Sequence, residues 1–210
     1  MASRAARGMT EGDAKAWIAA RYDADAIARL ERFAAMVVQE NERQNLISPA
    51  TCAQIWVRHI VDSAQLLPLA ASDARNWLDI GSGAGFPGMV IAALWPGSVA
   101  LVEPRARRAD FLRAVAAALG LTNVIVHHSR VEAVTGQFDI LSARAVAAVP
   151  ALLDMTRHLR GPKTRMILPR GRNGATEMEQ LPRTWRGMFH VEHSVTDPAS
   201  VIIVADGVTG

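Results

Sequence analysis

The residues best suited to chemistry form one run, Asp79-Ile80-Gly81-Ser82-Gly83-Ala84-Gly85-Phe86-Pro87-Gly88, followed by Glu103. Small residues let a ligand approach the backbone closely, and a helix that starts there turns its unpaired N–H groups toward that ligand. Pro87 suits the first helical turn, where its missing donor costs little. A carboxylate about twenty residues further on, at the end of a second strand, can accept hydrogen bonds from both hydroxyls of a ribose. The pattern implies a nucleoside cofactor. Gly83, Gly85 and Gly88 also satisfy G-x-G-x-x-G, so a small NAD-linked oxidoreductase is one reading. S-adenosylmethionine is favoured by Asp79, placed where a carboxylate holds a cationic amino group but would repel a pyrophosphate. It is favoured too by a chain with no length for a separate catalytic domain.

The elements that must hold these residues are legible in the periodicities. Residues 12 to 40 read as amphipathic helices, with Leu30, Phe33, Ala34, Val37 and Val38 recurring at helical spacing. A polar loop is expected from Asn41 to Ser48, then a helix from Gln54 to Leu67 around Trp56, Ile60 and Val61. From Trp77 onward, short β-rich runs alternate with helical ones: Trp77 to Ile80, Val99 to Val102, Val124 to His127, Phe138 to Leu141 and Met166 to Leu168. Arg107 to Leu119 is the clearest intervening helix. Such alternation predicts an α/β fold with a doubly wound parallel sheet. Phe189 to Val195 and Val201 to Ala205, parted by Thr196, Asp197 and Pro198, predict a closing antiparallel hairpin. The expected division is an N-terminal helical extension, 1–70, packed on a core, 71–210.

Composition narrows the function classes. Half of the 210 residues are apolar, enough for one well-filled core. Cys52 is the only cysteine, which excludes an intramolecular disulfide and a multi-cysteine zinc site and predicts a reducing, cytoplasmic compartment. His127 and His128 end a strand with no spacing for a metal, so no metal is expected. No apolar run approaches the roughly 20 residues of a membrane span, and the start shows no apolar stretch of a secretion signal. Net charge is +3, but its distribution says more. Between Arg157 and Arg186 the basic residues Arg157, Arg160, Lys163, Arg165, Arg170, Arg172, Arg183 and Arg186 face only Glu177 and Glu179. That segment reads either as a solvated arginine-rich surface or as a face that tracks phosphates.

Several separated motifs together resemble the bacterial small-subunit (16S) rRNA guanine-N7 methyltransferase family, RsmG (also called GidB). Asn41-Glu42-Arg43-Gln44-Asn45-Leu46 is similar to the family's W-N-x-x-x-N-L, with Glu40 where the tryptophan usually stands. Arg58-His59-Ile60-Val61-Asp62-Ser63, the Phe86-Pro87-Gly88 ending, Arg130-Val131-Glu132 and Ala143-Arg144-Ala145-Val146-Ala147 follow in order. Ala143 replaces the family's serine, and Arg170 replaces the lysine before Gly171, a planar fork for a point donor. The resemblance implies a Rossmann-like class I methyltransferase sheet and puts cofactor contacts on Gly81, Phe86, Val131, Glu132 and Arg144, with Glu103 at the ribose. Asp79, Gly83 and Gly85 join that set from the loop reading.

Methyl transfer from a sulfonium to guanine N7 removes no proton, so no general base is required and no catalytic Cys, Lys or His pair is expected. Arg144, at the end of the fourth strand, holds either the methionine carboxylate or the guanine. His59 reads first as a structural hydrogen-bonding residue; with Asn45, Arg58 and Asp62 it also fits the RNA-facing lip of the pocket. Arg58, Arg170, Arg172, Arg183 and Arg186 are the expected RNA contacts, and a monomer acting on 16S rRNA or the small ribosomal subunit is the expected form. The competing readings are the NAD-linked oxidoreductase and a ribosome-binding protein with a vestigial cofactor pocket.

Overall fold

The computed structural model describes residues 8–171, 174–179 and 184–209. Helix α1 (Glu11–Ala19) starts at Thr10, whose side chain accepts from the Asp13 amide while the Asp13 carboxylate accepts from the Thr10 amide. This reciprocal cap satisfies two donors that a helix start leaves orphaned. Helix α2 (Ala24–Gln44) is capped by Asp23 and ends at Asn45, which takes the left-handed φ of 35°. The loop expected from Asn41 therefore begins later. Asn41 stays helical and uses its side chain, accepting from the Ile47 amide at 2.8 Å, to fold the following turn back on the helix.

In place of one helix over Gln54 to Leu67 there are α3 (Pro49–Cys52), a π-helical turn Trp56–Val61, α4 (Asp62–Ala64) and a 3-10 turn Leu67–Leu69. The cap of the π turn is distant in sequence. The Glu11 carboxylate accepts from the Trp56 and Val57 amides at 3.2 and 2.8 Å. Such turns concentrate at functional positions, and this one carries Arg58 and His59.

The core follows as β1 (Asn76–Ile80), α5 (Gly88–Leu94), β2 (Ser98–Val102), α6 (Ala106–Ala118), β3 (Val124–His127), β4 (Phe138–Ala143), α7 (Val149–Met155), β5 (Arg160–Arg170), α8 (Gly174–Glu179), β6 (Arg186–His193) and β7 (Val201–Thr209). The seven strands lie in the order β3-β2-β1-β4-β5-β7-β6. The first five run parallel, whereas β7 is antiparallel to β5 and to β6. The expected sheet and hairpin are both present with shifted boundaries: β4 runs to Ala143, β6 starts at Arg186 and β7 continues to Thr209. β5 extends well beyond Met166 to Leu168, because Arg160 pairs with Phe138 of β4 at its start and Pro169 and Arg170 pair with Ile202 and Val201 of β7 at its end. β6 stops at His193: the Ser194 amide still donates to the Ser200 carbonyl, but the Val195 amide turns to Gln65, and the Ser194 and Thr196 side chains bond Gln65 and Asp62.

Alternation along the strands sorts the core into two layers. Trp77, Leu101, Ile140 and Ile167 face one way, into a cluster with residues of α1, α2, the π turn, α5 and α6. Leu78, Val102, Leu141 and Met166 face the other, against Val131 and the α7 residues Leu152 and Leu153. The N-terminal helices thus share a core with the sheet. Phe33 of α2 is fully buried and its ring lies 5.0 Å from that of Phe86 in the glycine bend. Among the described residues no helix is long and apolar enough to cross a membrane. Phe33→Ala is expected to cost about 3–5 kcal/mol. Calorimetry should still show one transition; two separated transitions would mean that the helical prefix unfolds on its own.

Candidate cofactor and substrate site

The glycine bend lies at the carboxyl end of β1, which has β2 on one side and β4 on the other, the switch point where open α/β sheets bind ligands. Two glycines there answer to geometry. Gly81 has φ +65°, and a Cβ on it would meet Val146 Cγ2 at 2.7 Å. A Cβ on Gly88 would lie 2.3 Å from Leu101 Cδ2 and 2.7 Å from Asp79 Oδ2, so α5 packs onto β1 at a distance only glycine permits. Pro87 stands one residue earlier than expected, as the N-cap of α5.

Asp79 is placed differently from the sequence expectation of a contact to a cationic ligand. It shares the β1 face of Trp77 and is fully buried beneath α5. Its Oδ1 accepts from Ser142 Oγ at 2.8 Å and its Oδ2 from the Gly88 amide at 3.1 Å. Ser142 Oγ in turn accepts from Trp77 Nε1 at 2.8 Å. The carboxylate fixes the bend from below and does not line the cavity. Burial pushes its pKa up to about 6, against the opposing pull of these hydrogen bonds and of Arg144.

Glu103 is also buried. Its Oε2 accepts from the Gly83 amide and its Oε1 from the Arg105 amide, both at 2.9 Å. It ties the end of β2 to the bend and keeps one further lone pair on each oxygen. Val131 sits in the second core layer, Glu132 is exposed on the 3-10 turn Val131–Ala133, and neither lines the cavity. Gly85 is likewise outside the lining, whereas Gly81, Gly83 and Phe86 are part of it.

Above the bend, Phe86 carries a stack of polar groups. The His59 ring lies 4.8 Å from the Phe86 ring at 24°, and the Arg144 guanidinium sits 5.4 Å over it. Arg144 Nη2 lies 3.0 Å from His59 Nδ1. A guanidinium has no acceptor, so Nδ1 must be the acceptor and the proton rides on Nε2, 3.0 Å from Thr51 Oγ1. Burial first, then the charges of Arg144 and Arg58, hold the His59 pKa down to about 3. His59 is a neutral positioning group. Arg144 Nη1 donates to the Arg58 carbonyl at 3.2 Å and to Asp62 Oδ2 at 3.3 Å. Asp62 Oδ1 meanwhile accepts from Gln65 Nε2 and Thr196 Oγ1, both at 3.0 Å.

These parts surround a cavity of about 600 Å³, bounded by the bend, the π turn, Arg144, the end of β5 and the turn between β6 and β7. Asn45 is not in its wall, although the adjoining Leu46 and Ile47 are; its carbonyl accepts from Arg108 Nη2 at 3.4 Å. Of the expected RNA contacts, Arg58 stands at the rim, half exposed and paired with Asp197 at 3.6 Å. Arg186 is exposed at the start of β6 and outside the cavity wall. Arg172 and Arg183 lie outside the described residues. Arg170 is a correction: it is buried, donating from Nη1 to the Ala147 carbonyl at 3.0 Å, so it is no surface phosphate contact. Arg165, too, is engaged by both oxygens of Asp206, at 2.7 and 2.9 Å. Sequence reasoning missed Thr51, Arg108, Ser194 and Thr196 as wall residues; Thr196 registered there only as a turn former. No group of three or more His, Cys, Asp or Glu is arranged for a metal among the described residues.

A sheet of this order, with its bend at the switch point and an acidic residue ending β2, defines a Rossmann-like methyltransferase fold. The O-methyltransferase from Bacillus cereus in complex with SAH superposes with a TM-score of 0.59 at 16% identity, covering 94% of this chain and 98% of that one. MtNAS in complex with MTA and tNA gives 0.57 at 15% identity, over 95% of this chain and 82% of the other. The chain belongs to the GidB family, rRNA small subunit methyltransferase G, whose model matches residues 26–199. It is 45% identical to the ribosomal RNA small subunit methyltransferase G of Rhizorhabdus wittichii over 204 residues, covering 95% of this chain and 94% of the relative. The corresponding protein of Zymomonas mobilis is 41% identical over 208 residues, with 94% of each covered.

Two outcomes test this geometry. The Asp79 value in the folded chain lies above the ordinary 3.8, so the folded state binds that proton more tightly than the unfolded one. The stability this confers is full below the unfolded value and is lost as pH rises through the folded one. Relative to Asp79→Asn, the parent chain should lose on the order of 3 kcal/mol between about pH 4 and 7. Urea midpoints of the two chains measured across that range should diverge; parallel curves would refute the burial argument. For His59, imidazole nitrogen shifts should report the Nε2–H tautomer and stay flat from pH 8 to pH 5, whereas an inflection near the ordinary 6.5 would place the ring in solvent.

Proposed function

We propose that this chain transfers a methyl group from S-adenosylmethionine to N7 of a guanosine in small-subunit (16S) rRNA, acting as a monomer in the cytoplasm. The observation that carries the reading is one cavity shared by a glycine bend, the Arg144–His59–Phe86 stack and the β6–β7 turn. Family membership supports the same substrate class. When bound, S-adenosylmethionine supplies an electrophilic methyl group on a sulfonium. The methyl–sulfur bond would break as the N7–carbon bond formed, and the positive charge would pass from the sulfur to the guanine ring.

The work left to the protein is alignment and exclusion of water, effects worth up to roughly 7–11 kcal/mol. The residues present fit the donor. The Gly81 and Gly83 backbone offers close approach, and the free lone pairs of Glu103 suit ribose hydroxyls. The Val131–Glu132 turn is assigned to the adenine edge by the resemblance alone. Arg144, fixed by Asp62, the Arg58 carbonyl and His59, is held against Phe86 at the cavity wall, where it orients the reactants. Asp79 and Gly85 contribute by shaping the bend from beneath. Arg58 and Arg186 are exposed cations suited to RNA phosphates.

Labelled S-adenosylmethionine incubated with undermethylated small subunits should deliver label to rRNA as N7-methylguanosine at one mapped position. Tight cofactor binding with no transfer would instead favour a vestigial pocket. Glu103→Ala is expected to weaken S-adenosylmethionine binding about tenfold or more, measured by equilibrium binding. Arg186→Ala should leave that affinity intact and lower the salt dependence of RNA binding by about one unit of slope.

A further inference from the structure

The cavity has two ends, set apart by the strand order. The glycine bend tops β1, and beyond the intervening β4 the far wall is built on the carboxyl end of β5 and the amino end of β7. Arg170 and Glu177 both line that far end. The Arg170 side chain is only 6% exposed. One of its nitrogens, Nη1, is used by the Ala147 carbonyl, while Nε and Nη2 are buried without a hydrogen-bond partner. Glu177 Oε2 lies 3.7 Å from Arg170 Nε, too long for a hydrogen bond, and accepts from the Val149 amide at 3.3 Å. No hydrogen bond holds its Oε1 among the described residues. Buried guanidinium donors without partners are rare in folded proteins and call for an explanation.

A guanine base supplies one. Its Watson–Crick edge carries an acceptor, O6, beside two donors, N1–H and the N2 amino group, so a cation next to a carboxylate matches that edge. Adenine presents the reverse order, a donor at N6 and an acceptor at N1, and would meet both groups with the wrong polarity. Reading this edge also leaves N7, on the adjoining Hoogsteen edge, free to react. We propose that Arg170 and Glu177 form the subsite for the target base, with the guanidinium donating to O6 and the carboxylate accepting from N1–H and N2–H of a guanine turned out of the RNA. The inference rests on the methyl-transfer reading above and adds to it the means by which the base is chosen. It also gives the arginine at position 170 a purpose, because a planar fork can hold the Ala147 carbonyl and still present donors to a ligand.

The test uses full-length protein and small subunits reconstituted with rRNA carrying guanosine, inosine or 2-aminopurine at the mapped position. Inosine lacks the N2 amino group, 2-aminopurine lacks both O6 and the N1 hydrogen, and both keep N7. The parent enzyme should lose about tenfold or more in kcat/KM with each analogue. In Glu177→Ala, guanosine and inosine should become equivalent substrates, and in the near-isosteric Glu177→Gln the inosine penalty should shrink, with S-adenosylmethionine affinity unchanged in both. A parent enzyme that treats the three bases alike, or a Glu177 variant that binds S-adenosylmethionine normally and keeps the full inosine penalty, would overturn the assignment. Absence of transfer to guanosine by the parent enzyme would count against the methyltransferase reading itself, so the two failures are distinct.

Discussion

A single buried carboxylate organises the catalytic end of the sheet. Asp79 binds Ser142 on β4 with one oxygen and the first amide of α5 with the other, and Ser142 carries the connection on to the Trp77 indole. Two neighbouring strands and the helix after the bend are thereby fixed at one point. Burying this group is costly enough to raise its proton affinity, and the cost is tolerated because every polar group in this relay has a partner. The bend can then be open above, with backbone facing the cavity, because it is held from underneath.

A second carboxylate, Asp62, plays the corresponding part for the upper wall. It receives Arg144 from the end of β4, Thr196 from the β6–β7 turn and Gln65 from its own helical segment. Gln65 also bonds Ser194 and the Val195 amide, so the turn is held at several points. The Glu11 carboxylate at the start of α1 stabilises the π turn that presents Arg58 and His59. Segments from both ends of the sequence are therefore joined to the sheet by hydrogen bonds to carboxylates and amides, and the reactive space lies among them. A neutral His59 fits this arrangement. Its role is to receive the Arg144 fork on Nδ1 and present a flat face to Phe86, which a charged ring could not do beside two arginines.

Much of this was legible in the sequence, and the reason differs from element to element. The glycine bend, the parallel strands and the closing hairpin announce themselves through local chemistry: small residues, runs of β-branched residues and a turn-forming cluster. Asp79 was recognisable as important, yet its partner was misread. The alternation that puts it on the face of Trp77 points it at α5, and only the Gly88 contact reveals how close that helix lies. Arg170 was misread for the opposite reason. A basic segment suggests a solvated surface, but strand pairing with Val201 and the docking of α8 enclose that one side chain. The Glu11 cap, the Thr51 partner of His59 and the Thr196 bond to Asp62 link positions far apart along the chain or rely on short polar side chains. No periodicity marks them.

The β6–β7 turn, finally, has a bearing on how the protein is made. Ser194, Thr196, Asp197 and Ile202 complete a cavity whose floor is assembled from residues near position 80. During synthesis the amino-terminal part emerges and begins to fold first, so a nascent chain displays the bend well before its enclosing wall has left the exit tunnel. Closure of the cavity thus waits for the hairpin, and a chain stalled before it would carry an incomplete chamber.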